Sequence, residues 1–236
     1  MTIYAFIPAR GNSKRVPRKN AKLIKGHPLI YWTIKAALES SVDKVYFSTE
    51  DEELAVMAND IAFQIDKSGM RFDVLNRDPK LSQDFTQTDE VFLDMLRTLQ
   101  HKSELVAPDY LVLLAPTSPL RTAEDIDNAI NQWYASDRTG CLFSGYQVDS
   151  FVWSINGMSE AKPLNHDPRF RLGKQWLEEW PVIENGAIYI TNANQFSLYR
   201  TYRYPPYQFF QMDKRKSVDI DTPDDFIHAA ELLNYL

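Results

Sequence analysis

Five cations (Arg10, Lys14, Arg15, Arg18 and Lys19) fall within residues 8–20, with Gly11, Asn12, Ser13 and Asn20 among them and no acidic residue. Guanidinium, ammonium and backbone amide groups crowded together match the spread anionic charge of a triphosphate. A solvated basic loop has the same composition, so place decides. The segment directly follows the first apolar run, Ile3–Pro8, and open α/β sheets bind ligands beyond the carboxyl ends of their strands. A second candidate is Asp219-Ile220-Asp221. In a strand, residues two apart share a face, so both carboxylates would project together. Such a pair suits Mg²⁺ that also binds substrate phosphates; a charged strand end leading into a helix would look alike, and the cationic loop elsewhere favours the metal. Arg77 and Asp84 flank a stretch rich in hydroxyls and amides, including Ser82; it fits either a base-and-ribose contact or a helix-capping loop. Asn185-Gly186, just before an apolar run, reads equally as a turn or a ligand contact.

The elements that must carry these residues follow from apolar spacing. Continuous runs predict buried strands at Ile3–Pro8, Lys44–Thr49 and Tyr110–Leu114. Mixed three- and four-residue spacing predicts helices over 28–38, 51–59, 91–99 and 123–134. Further strands are expected at 142–148, 187–191, 209–212 and 217–221, before a last helix opened by Thr222-Pro223-Asp224-Asp225, a Thr cap with Pro at the first position. Strand, loop and helix in repeated alternation predict right-handed βαβ units and a mostly parallel sheet covered on both faces. The rhythm breaks at 149–181, which is aromatic and weakly periodic. The core is therefore placed at 1–148 and 182–236, with 149–181 as an insert outside the main sheet.

The charge distribution narrows the partner. All 32 acidic residues lie at or beyond Glu39, against 18 of the 26 basic ones, and the net charge is −6. An acidic body with one cationic segment suits a small polyanion rather than nucleic acid. Composition is that of a globular chain, with 44% hydrophobic and 25% charged residues, which argues against disorder. No apolar run approaches the roughly 18 residues of a membrane span, and no cationic leader with a cleavage site precedes the first strand. The single cysteine, Cys141, excludes an internal disulfide framework. A cytoplasmic protein without a membrane partner is expected. Neither GxxxxGK[ST] nor a GxGxxG after the first strand is present, which removes support from P-loop and dinucleotide readings.

Taken in order, IPARGNSKRVPRKN (7–20), NRDPKLSQDFTQT (76–88), LLAPTSPLR (113–121), ENGAIYI (184–190) and DIDTPDDF (219–226) resemble the acylneuraminate cytidylyltransferase family, the CMP-sialic acid synthetases and their legionaminic and pseudaminic relatives. The resemblance implies a Rossmann-like three-layer αβα core and a homodimer in which the insert reaches toward the partner's site. It implies that Arg10, Asn12, Ser13, Lys14, Lys19 and Asn20, with Arg77, Ser82 and Asp84, hold CTP. It assigns Asp219 and Asp221 to Mg²⁺, and makes these two with Arg10 and Lys19 the catalytic set. Thr117, Ser118, Lys174, Asn185 and Gly186 would face a nonulosonic acid, whose 2-hydroxyl attacks the α-phosphorus and releases pyrophosphate. Two departures fall on the sugar side: Ala115 stands where sialic acid enzymes usually carry Gln, and Lys174 where the family often has Arg, whose bidentate fork Lys lacks. Two other readings remain at this point: a nucleotide-sugar glycosyltransferase using DID, and a nucleotide-binding module without chemistry.

Overall fold

A computed structural model describes residues 2–101, 110–136, 138–170, 173 and 180–235. The central strand β1 (Ile3–Pro8) shows why the core has two sides. Ile3, Ala5 and Ile7 belong to one buried cluster, and Tyr4 and Phe6 to another. Period-two alternation of apolar residues to both faces requires a cover on each. After a short hairpin of β2 (Leu23–Ile24) and β3 (His27–Pro28), the chain runs through α1 (Leu29–Glu39), β4 (Lys44–Thr49), α2 (Glu52–Ile65), β5 (Phe72–Asn76) and α3 (Thr88–His101). It continues with β6 (Tyr110–Leu114), α4 (Ala123–Ala135), β7 (Cys141–Gln147), β8 (Trp153–Ile155) and β9 (Ala161–Pro163). The last elements are β10 (Val182–Asn192), α5 (Ala193–Tyr199), β11 (Tyr207–Gln211) and α6 (Pro223–Leu232).

Seven strands form one sheet in the order β11-β7-β10-β6-β1-β4-β5. Strand β10 runs antiparallel to both neighbours, and every other pairing is parallel. Ile34 of α1, Ala58 of α2 and Trp133 of α4 pack on the Ile3–Ile7 face. Phe92 and Met95 of α3, with Phe196 of α5, cover the Tyr4–Phe6 face. The expected αβα layering is therefore present. A third, smaller cluster joins Val16, Ile24 and Leu29 to Ile220 and to Phe226 and Ala229 of α6. It fastens the loop after β1 to the segment that leads into α6.

Several elements differ from expectation, among them the β2–β3 hairpin, helix α5 and the early start of β10. Residues 217–221 join no sheet. The turn at Lys214–Lys216 carries the chain off β11, and Ile220 instead donates its amide to the Thr117 carbonyl at 2.8 Å. Helix α2 continues past residue 59 because Ile61 and Ala62 prolong its buried stripe. Strand β5 was not foreseen; Asp73 and Asn76 interrupt its apolar pattern, as an edge strand allows. Within 149–181, β8 and β9 form a two-stranded sheet apart from the main one.

Candidate active site

A cleft of about 420 Å³ opens at the carboxyl end of the sheet. Arg10, Ser13, Lys19 and Asn20 from the loop after β1 line one side, and Arg77, Ser82 and Asp84 from the loop after β5 line another. Ala115 and Thr117 after β6, Gly186 and Tyr189 of β10, Tyr202 and Asp219 complete it. The cationic loop and the DID segment therefore share one cavity.

The loop after β1 is shaped by side chains that face away from the cleft as much as by those that face it. A Cβ on Gly11 would meet Asp51 Oδ2 at 2.3 Å, so the close approach that requires glycine is to the protein itself. Arg18 adopts a left-handed backbone (φ 55°) and pairs with Asp51 and Glu53. It serves the loop's anchoring. Asn20 donates to the Arg10 carbonyl at 2.8 Å, and its Oδ1 is buried without a protein partner among the described residues. Asn12 is exposed outside the cleft lining. Lys14, 80% exposed, meets Asp84 at 2.6 Å, where Arg10 also arrives at 3.0 Å. These two cations, Lys14 first, hold the Asp84 carboxyl below the ordinary carboxylate range.

The paired aspartates behave differently from each other. Asp221 meets Arg15 at 2.9 Å and Lys19 at 3.4 Å, and Lys19 also donates to the Ile220 carbonyl at 2.6 Å. Asp219 is exposed on the cleft wall; partial desolvation there raises its pKa, a hydrogen bond from Thr117 opposes this, and the Asp221 charge adds to it. A site whose carboxylate resists ionisation beside another carboxylate favours a cation. Among the described residues no group of three or more His, Cys, Asp or Glu is arranged for a metal. Residues 219–221 form no strand, so the expectation that both carboxylates project together fails: Asp219 lines the cleft, whereas Asp221 lies outside its lining on Arg15 and Lys19. So few carboxylates suit an ion that completes its shell with substrate phosphate and water, as Mg²⁺ does.

The sugar-side expectations separate. Thr117 and Gly186 line the cleft, whereas Ser118 and Asn185 are buried behind it. Asn185 is occupied: its Oδ1 accepts from Ser144 at 2.6 Å and from the Ala187 amide at 3.1 Å, and its Nδ2 donates to Ser217 at 2.9 Å. It holds the bulge of β10, whose register against β7 shifts between Glu184 and Tyr189. Lys174 lies outside the described residues. The lining residues Tyr189 and Tyr202 escaped the sequence reading, as did two residues outside the lining. Arg121, fully buried, donates through Nη1 to the carbonyls of Ala115 at 3.2 Å and Ala187 at 2.7 Å, tying the β6 loop to β10. Burial pushes its pKa down to about 9 against the Asp125 charge, which leaves it cationic at neutral pH. Glu50 closes β4 and accepts from Gly11, Arg77 and Ser82. The rule that singled out the loop after β1, applied to the end of β4, would have found it.

A family model described as Cytidylyltransferase matches residues 4–235. The chain is 32% identical over 238 residues to the CMP-N,N'-diacetyllegionaminic acid synthase of Legionella pneumophila, covering 99% of this chain and 97% of that protein. It is 31% identical to the N-acylneuraminate cytidylyltransferase of Streptococcus agalactiae serotype III over 95% of this chain, and spans about half (51%) of that relative's length. In fold it is similar to a CMP:2-keto-3-deoxy-manno-octonic acid synthetase solved in complex with CTP, with a TM-score of 0.67, 15% identity, and 100% and 99% of the two chains covered. Of the three readings the sequence left open, these likenesses favour nucleotidyl transfer over a nucleotide-sugar glycosyltransferase. Sequence match and sheet architecture agree along almost the whole chain, and it belongs to the cytidylyltransferase family.

Proposed function

We propose that the protein joins CMP from CTP to a nonulosonic acid of the legionaminic or sialic type, releasing pyrophosphate. The observation that carries this reading is the meeting of the cationic loop and the Asp219–Asp221 segment in one cleft. Arg10, Ser13, Lys19 and Asn20 are assigned to the phosphates and ribose, with Lys14 and Asn12 at the loop's outer edge. Arg77, Ser82 and Asp84 are assigned to the nucleoside side. The sugar's 2-hydroxyl oxygen bonds to the α-phosphorus, the bond to the pyrophosphate oxygen breaks, and the hydroxyl proton leaves to solvent or a base that no side chain here identifies. Arg10 and Lys19 stabilise the charge on the leaving pyrophosphate, so positioning and charge do most of the catalysis. Asp219 and Asp221 are the residues assigned to Mg²⁺, which when bound supplies neutralisation of phosphate charge.

Thr117, Gly186 and Tyr189 are assigned to the sugar, with Ser118 and Asn185 supporting that wall from behind. The assembly is proposed as a homodimer formed through 149–181, where Ile155, Met158, Leu164 and Phe170 are all exposed, apolar surface that a partner copy would cover. No helix among the described residues is long and apolar enough to cross a membrane, and a cytoplasmic setting, where CTP is made, is proposed. The test is pyrophosphate release from CTP and Mg²⁺ with sialic, legionaminic, pseudaminic and Kdo-type acids. Release with a legionaminic or sialic acid is expected; a protein inert toward the whole panel would overturn the reading.

A further inference from the structure

Glu50 sits at the carboxyl end of β4, between the strands whose loops form the two sides of the cleft. Its side chain is 14% exposed, and its two oxygens divide between those loops. Oε1 accepts the Gly11 amide at 2.8 Å, at the head of the loop after β1. Oε2 accepts Arg77 Nη2 at 2.7 Å and the Ser82 hydroxyl at 2.6 Å, both on the loop after β5. Burial pushes the Glu50 carboxyl up, and donation from Ser82, Arg77 and Gly11 outweighs it, leaving the group below its ordinary value. An ionised carboxylate is acceptor only, and all three of these partners are donors.

Arg77 is the route from Glu50 to a ligand. Its guanidinium is 3% exposed yet belongs to the cleft wall, and its Nε has no protein partner among the described residues. A buried donor without an acceptor is costly unless something else supplies one. Arg77 lines the cleft, and the Glu50 charge sets where its guanidinium stands.

Building on the assignment of the cleft to CTP, we propose that Glu50 is a positioning residue for nucleotide binding: one carboxylate fixes Arg77 and locks the phosphate-side loop to the nucleoside-side loop. A single CTP is then gripped at both ends by loops held in fixed register. Glu50 touches no reacting atom and acts through Gly11, Arg77 and Ser82.

The experiment is calorimetric CTP binding to the whole protein with Mg²⁺, for wild type, Glu50→Gln, Glu50→Asp, Arg77→Gln and the Glu50→Gln/Arg77→Gln double variant. In Glu50→Gln an NH₂ group replaces one acceptor and opposes donors. The expected loss of CTP affinity is about 10–100-fold, with KM rising more than kcat falls. In the Arg77→Gln background the same change should cost about threefold or less, because the two residues act as a unit. Unchanged affinity in Glu50→Gln, or full additivity with Arg77→Gln, overturns the proposal. Should Glu50→Gln fail to fold, Glu50→Asp keeps the charge on a shorter stem; weakened CTP binding supports the proposal and wild-type affinity overturns it. Failure of the wild type to bind CTP at all would instead overturn the assignment of the cleft.

Discussion

Asp219 shows how a single side chain sets stability against function. Partial desolvation raises its pKa, so the folded state disfavours the charged form relative to the unfolded chain. Between the ordinary carboxylate value and the raised one, the folded protein binds more protons, and this group's contribution falls as pH rises through that window. Because Asp219 is exposed, water screens most of this effect, so Asp219→Asn should raise the thermal midpoint at pH 7 only slightly, with the gain vanishing at acid pH where Asp219 is already neutral. The same variant should lose CTP-dependent turnover, as should Asp221→Ala, by about 100-fold or more if both hold the metal. Thermal unfolding followed at two pH values, beside pyrophosphate release, checks both; a less stable Asp219→Asn at pH 7 would contradict the sign. Arg10 and Lys14 present the opposite case, since Asp84 occupies them in this structure. Their charges stand ready in place, and an incoming phosphate must compete with one carboxylate.

Helix α6 does two jobs at its first turn. Thr222 and Asp225 form a reciprocal capping box, with Pro223 at the first helical position. Asp225 Oδ2 also accepts the Asp221 amide at 2.9 Å, so the cap orients the segment that carries Asp221. Asp225→Ala should cost about 1–2 kcal/mol through the lost cap and raise the Mg²⁺ concentration giving half-maximal activity. Denaturant unfolding and a Mg²⁺ titration measure the two effects. Elsewhere, the start of β7 depends on Gly140, whose φ is +74° and whose added Cβ would meet the Pro206 carbonyl oxygen at 1.8 Å. That contact is with backbone, and the Cys141 amide donates to the same Pro206 oxygen at 3.0 Å, beside the parallel pairing of β7 with β11. Gly140→Ala combines a disfavoured conformation with a backbone clash, and should cost more than about 2 kcal/mol. A wild-type thermal midpoint in that variant would refute this account of the corner.

Across the whole molecule, charge and apolar surface point to different partners. The acidic body excludes anions broadly, while the loop after β1 collects cations at one end of the sheet. CTP association should weaken as ionic strength rises, because partly exposed charges such as Arg10 are screened. The proposed dimer rests on the exposed apolar residues of 149–181, such as Ile155 and Phe170. Ile155→Glu with Phe170→Glu should shift sedimentation from dimer to monomer and reduce turnover; a wild-type protein that sediments as a monomer would remove the dimer proposal without touching the cleft.

Local signals in the amino-acid order determined most of the elements and one half of the site. Apolar runs, helical spacing, the Thr222 cap and the acid-free cationic loop each depend on residues a few positions apart, so they were readable without a fold. Tertiary structure decided which way side chains face and which loops meet. Asn185 stands next to Gly186, yet the bulge in β10 turns it inward to Ser144 and Ser217, because irregular register changes which face a strand residue takes. Glu50 gained its place only when β4 came to lie between β1 and β5. The joining of the cationic loop to the aspartate pair came from Val16 and Ile220, two apolar residues in polar surroundings that share a buried cluster with Phe226. Removing that apolar surface from water favours contact between segments two hundred residues apart, and no spacing along the chain encodes it.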